Sequence, residues 1–126
     1  MDATTTRLLA LRFKRLRTLG TNAPFCATCG ERRWWVPYEL HHIAGRKFSD
    51  ETIRLCKPCH DGVSIMQKLL PSLDQCADPE LAKRIAQLEG LALLLNRAAE
   101  EQLSTAKILR SISATLCNDN AREVDQ

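Results

Sequence analysis

Cys26-Ala-Thr-Cys29, Leu40-His41-His42-Ile43 and Leu55-Cys56-Lys-Pro-Cys59-His60 mark the stretch whose reading decides the fold. All three histidines and four of the six cysteines of the chain fall within it. Zinc in structural sites takes four tetrahedral ligands, often all cysteine, and two C-x-x-C pairs supply that set. Pro24 precedes the first pair and Gly30 follows it, as a tight turn with amides aimed at sulfur requires. The second pair sits at a predicted helix start, with Pro58 in the first turn. A helix N-terminus lowers thiol pKa and favours the metal-binding thiolate. A redox C-x-x-C would need a thioredoxin-like βαβ setting, which the pattern lacks. Cys26, Cys29, Cys56 and Cys59 are therefore expected to hold a structural Zn²⁺. Cys76 and Cys117 lack ligand spacing and read as small packing residues.

Strands and a helix are expected to position the histidines. Arg33–Val36 and Tyr38–Ile43 are rich in strand formers, with Pro37 between them, and Thr52–Leu55 reads as a short returning strand after a polar loop at 44–52. Adjacent residues of a strand point to opposite faces, so His41 and His42 are expected to do different work. His60 is turned about 100° from Cys59 on a helix, which frees it from the zinc and aims it at the strand. The spacing suggests a second divalent cation (Mg²⁺ or another) held by His41 and His60, with His42 beside it as a general base, a task that a neutral imidazole suits.

The combined pattern, Cys26-x-x-Cys29, His41-His42-Ile43, then Ile53-Arg-Leu55-Cys56-x-x-Cys59-His60, resembles the HNH (His-Me finger, ββα-metal) endonucleases, in the zinc-knuckle branch found among phage and restriction nucleases. The resemblance covers about residues 23–66. It implies a ββα-metal fold with His41 and His60 on the catalytic metal and His42 as general base, and DNA cleavage leaving 3′-hydroxyl and 5′-phosphate ends. Where the family carries its middle asparagine, five residues ahead of Cys56, this chain has Glu51, preceded by Asp50. A carboxylate there can also accept a hydrogen bond and would favour the protonated form of His42. Glu51 thus joins His42 as a candidate catalytic residue. The competing expectation is a catalytically silent module of the same fold that binds DNA or a protein partner, as a phage accessory or inhibitor protein would.

The flanks complete an α+β expectation: a small ββα, treble-clef-like zinc module at 23–70, a basic N-terminal helix within 1–22, and a helical extension at 78–117. Thr4, Thr5 or Thr6 is the expected cap of the first helix, and Gly20 its stop. Asp78-Pro-Glu-Leu81 is a helix start, and the 3-4 spacing of Leu81, Ile85, Leu88, Ala92 and Leu95 continues without proline. That extension reads as one long helix or as a hairpin hinged near Gly90 or Ser104. It is expected to fold back on the N-terminal helix, with a homodimeric coiled coil as the alternative, and to fray from Asn118. Residues 1–60 carry eleven bases against five acids, and the remainder seven against ten. A basic half joined to a mildly acidic one suggests nucleic acid on one side, or simply a solvated helix face. Arg32, Arg33, Arg46, Lys47 and Arg54 are the candidate phosphate contacts, and Trp34 and Trp35 are expected to divide between core and base stacking by strand alternation. No apolar run reaches the ~20 residues of a membrane span, and no signal peptide is legible, so a cytoplasmic setting is expected.

Overall fold

The computed structural model describes residues 2–124. Helix α1 spans Ala3–Leu19 and is capped by Asp2 rather than by a threonine: Asp2 Oδ1 accepts from the Thr5 amide at 2.7 Å. Gly20 closes it at φ 72°, its amide reaching back to the Arg17 and Leu16 carbonyls. No residue of α1 is buried. The helix is held at its C-terminal half, where Arg15 Nη2 donates to the Val36 carbonyl at 3.3 Å and Arg54 Nη2 to the Leu19 carbonyl at 2.7 Å.

Strands β1 (Tyr38–His42) and β2 (Thr52–Cys56) form a two-stranded antiparallel sheet with Tyr38 opposite Cys56 and His42 opposite Thr52. The strand expected at 33–36 is absent; that segment turns, with the Val36 amide on the Arg33 carbonyl. The cause lies in two captures. The Tyr38 hydroxyl donates toward the Glu31 and Arg33 carbonyls, and the Glu31 carboxylate accepts from the Arg33 amide and guanidinium. These bonds curl the segment before it can pair. Trp34 and Trp35 meet edge to face, ring centroids 5.8 Å apart, with Trp35 the more exposed. Their difference in burial therefore comes from a turn and not from strand alternation.

Helix α2 (Lys57–Lys68) starts directly from β2, with Pro58 in its first turn as expected. Helix α3 (Pro79–Val124) is one continuous helix, not a hairpin, and it runs past the fraying point expected at Asn118. Asp78 starts it, Oδ1 accepting from the Glu80 and Leu81 amides at 3.0 and 3.3 Å. Asp78→Ala is expected to lower stability by about 1 kcal/mol in thermal denaturation, the usual loss of an N-cap. α3 packs on α2 and not on α1. Gly90 is buried where α3 crosses the chain leaving β1: a Cβ built on it would lie 1.8 Å from the Ile43 carbonyl oxygen. The glycine read as a hinge is thus a point of close approach. Residues 102–122 are exposed.

The core is small. Leu55, Tyr38, Val63 and Leu94 gather around Cys26, Cys56 and Cys59, with Leu55 fully inaccessible. A chain burying so few large aliphatic side chains in its sheet module needs another source of stability. Among the described residues no helix is long and apolar enough to cross a membrane.

Candidate metal centre

The sulfurs of Cys26, Cys29, Cys56 and Cys59 all lie within 4.8 Å of one another. All are free thiols, and Cys29 Sγ is 3.7 Å from Cys56 Sγ. Tetrahedral zinc with bonds of about 2.3 Å separates its sulfurs by roughly 3.8 Å, so this spacing is already that of a ligand set. Local chemistry builds the site. The first pair lies on a turn closed by Gly30 at φ 78°, whose amide donates to the Cys26 carbonyl at 2.9 Å. The Ala27 amide reaches the Arg54 carbonyl at 3.0 Å, which ties that turn to β2, while Cys56 and Cys59 arrive with the β2–α2 junction.

Burial opposes ionisation at Cys26, Cys29 and Cys56, and the three respond differently. At Cys26 the Thr28 hydroxyl and the amides of Cys29, Cys56 and Thr28 outweigh burial and hold the thiol down to about 6. At Cys29 burial wins and the pKa is raised; at Cys56 it is pushed up to about 11. One thiolate is thus favoured while its neighbours resist a second charge. A dication at the centre of the four removes that conflict by pairing with every sulfur. The cluster can bind zinc, as the spacing of the four cysteines led one to expect.

Two of the histidines, His41 and His60, approach one another between β1 and α2. Glu39 and His41, two residues apart on β1, share one face of the strand. His60, on α2, faces them: its Nδ1 is 2.8 Å from Glu39 Oε2 and 3.3 Å from Asp61 Oδ1. Glu39, His60 and Asp61 together could hold a metal ion, their ligand atoms lying within 4.8 Å of one another. His41 is not in that group, but its ring centroid is 5.7 Å from that of His60, at 81° between planes. His41 is only 3% exposed, and its Nε2 is buried without a hydrogen-bond partner. Burial first, then His60 and His42, lower its pKa, which keeps the ring neutral and its lone pair available. Lys57 Nζ lies 3.4 Å from Glu39 and 3.2 Å from Asp61.

His42 is half-buried at the end of β1, its carbonyl accepting from the Gly45 amide at 3.1 Å. Glu51 is exposed and meets this region through its backbone: its carbonyl accepts from the Ile43 amide at 3.1 Å, and its amide donates to Ser49 Oγ. Glu39 and Asp61 escaped the sequence reading. Glu39 was within reach, since a carboxylate two residues ahead of His41 must share its face.

The five candidate phosphate contacts are scattered. Arg32 is exposed and lines a groove with Arg12, Phe25 and Trp34. Arg33 is held in a two-point pair with Glu31 at 2.8 and 2.7 Å, its guanidinium 5.9 Å from the Trp35 ring centre. Arg46 and Lys47 are exposed at the mouth of a cleft of about 270 Å³ that no histidine lines, and Lys47 pairs with Asp74. Arg54 is half-buried and occupied by the Leu19 carbonyl.

Fold and site define a small α+β protein with a two-stranded antiparallel sheet, a helix on either side of its module, and a four-cysteine cluster able to take zinc. No protein-family model, curated protein or solved structure matches the chain.

Proposed function

We propose that the protein is an HNH-type, metal-dependent DNA endonuclease or nicking enzyme, with His42 as its general base. The observation that carries this reading is the approach of His41 to His60 beside Glu39, with His41 Nε2 buried and unpartnered. A neutral buried imidazole with an orphaned nitrogen, next to an imidazole and two carboxylates, fits a divalent cation of the Mg²⁺, Mn²⁺ or Ni²⁺ kind. Such an ion, when bound, supplies positive charge to a scissile phosphate and to its leaving oxygen. His41 and His60 would hold it, and Glu39 and Asp61 would orient His60. His42, on the opposite face of β1 from His41, would take the proton of the attacking water. Arg32 and Arg46, free of ion pairs among the described residues, are the bases best placed to meet backbone phosphates.

One observation favours the alternative, a catalytically silent zinc module of this fold that binds DNA or a protein. The Lys57 ammonium already sits between Glu39 and Asp61 and satisfies part of their charge. Plasmid nicking with Mg²⁺, Mn²⁺ or Ni²⁺ separates the two. The wild-type protein is expected to nick in a metal-dependent way, and His42→Ala to lose about 10²–10⁴-fold in rate. Zinc-loaded, folded protein that nicks with none of these metals would leave the binding module as the reading.

A further inference from the structure

Helix α3 is packed on one side only. Ala82, Ala86, Gly90 and Leu94 are buried on the side that faces the module. Leu88 is turned about 160° from both Ala86 and Gly90, so it points away from the module. It does not stand alone there. Leu81, Leu88, Leu95, Leu109 and Leu116 recur at every seventh residue, and Gln102 is the single exception in that column. Leu91 and Ile112, three residues after Leu88 and Leu109, belong to a second column beside it. The apolar members of the two columns are 45% to 70% exposed. Scattered exposed leucines are ordinary, but a seven-residue period kept for about five heptads asks for a second helix wound against the first. Helix α1 makes no contact with α3 and does not fill that place.

The row carries its own complement. Arg84 stands near its start and Asp119 at its end, both exposed and both in the second column. Parallel copies would set arginine against arginine and aspartate against aspartate, and like charges brought together are costly. Antiparallel copies bring each Arg84 to the aspartate end of the other helix. Turned end for end, the free half of α3 also lies along the outward leucines of the rooted half of the other copy, so both halves are covered at once. Gln102 then falls close to the twofold axis, where a lone polar residue in a leucine column fixes register. The row is about 52 Å long and one helix about 10 Å wide, so two copies enclose roughly 1,000 Å², the size at which a specific interface begins.

We propose that the protein is a homodimer in which the outer faces of two α3 helices pair as an antiparallel coiled coil, each module lying on the far side of its own helix. The interface is isologous, one face meeting its own copy across a twofold axis. The inference goes beyond the nuclease reading and asks nothing of the histidines.

The test uses the full zinc-loaded chain in sedimentation equilibrium, where the wild type is expected to show twice the mass of one chain. Leu95→Lys and Leu109→Lys are each expected to raise the dimer dissociation constant about 100-fold, because each change enters a twofold interface twice. Leu103→Lys, exposed but about 100° around the helix from the leucine column, should stay dimeric. All three positions are exposed, so far-ultraviolet circular dichroism should report an unchanged fold. Direction is read from a nitroxide on the exposed Cys117 in a Cys76→Ser background. Antiparallel pairing sets the two labels about 50 Å apart, and parallel pairing within about 20 Å. A monomeric wild type would overturn the inference, as would a dimer that Leu95→Lys and Leu109→Lys leave intact. Equal weakening in Leu103→Lys would overturn the assignment to this row, and labels about 20 Å apart would overturn the antiparallel arrangement.

Discussion

Removal of zinc by a chelator, or Cys59→Ser, is expected to unfold the module and not merely soften it. The apolar core of the sheet module is built around the cysteines, with Leu55, Tyr38, Val63 and Leu94 packed directly on Cys26, Cys56 and Cys59. Without metal, burial presses Cys29 and Cys56 to keep their protons while Cys26 tends to lose its own. The metal-free cluster is therefore a buried group of mismatched thiols, with no ion to satisfy them. Structural zinc contributes an apparent ~10–16 kcal/mol in small domains, as large as the whole stability of a typical one. Tryptophan fluorescence and near-ultraviolet circular dichroism should lose their native signals on chelation and regain them at one zinc per chain. Cys117→Ser, at an exposed position on α3, should leave both unchanged. A chelated protein that melts cooperatively at the temperature of the loaded one would show that the cluster is not what holds the module.

The second large effect is expected at Gly90. The β-carbon of Gly90→Ala would meet the Ile43 carbonyl oxygen at 1.8 Å and its carbon at 2.8 Å. Both atoms are backbone, so no rotamer change relieves the clash. Ile43 is also fastened on three sides. Its amide donates to the Glu51 carbonyl, its carbonyl accepts from Gln67 Nε2 at 3.3 Å, and the next residue, Ala44, is buried. Either α3 lifts off or the chain after His42 shifts. A loss of about 3 kcal/mol, at the upper end of ordinary overpacking, is expected, with a fall in Tm on the order of 10 °C. The gain in helix propensity from alanine, about 1 kcal/mol, is too small to reverse the sign. Differential scanning calorimetry on zinc-loaded protein reads this directly, and a variant as stable as wild type would mean that α3 does not cross Ile43 this closely.

What could be read from the residues divides along physical lines. The cysteine cluster was legible because ligand spacing is a local property that tertiary structure can only satisfy or break. The starts of α2 and α3 were legible for a similar reason, as Pro58 and Asp78 act within one turn. The two faces of β1 followed from alternation, and the approach of His60 to His41 from the turn of a helix. The segment at 33–36 was not legible, because its β-forming residues lose to hydrogen bonds from Tyr38 and Glu31 that propensity does not count. Gly90 was misread because a hinge and a close approach demand the same residue, and only the neighbour, Ile43, tells them apart. Arg54, read as a phosphate contact, holds the end of α1 instead; a basic side chain on a short strand gives no sign of which carbonyl it will meet.

Helix α3 is unbroken from Pro79 to Val124, yet its side chains are free of the module from residue 102 to residue 122. At a rise of 1.5 Å per residue that free part is a rod about 30 Å long. A rod rooted at one end is a lever, and the fulcrum here is the contact of Gly90 with the Ile43 carbonyl, one residue beyond His42. A load on the tip therefore becomes torque at the root, delivered beside the cysteine cluster and the end of the strand that carries the paired histidines.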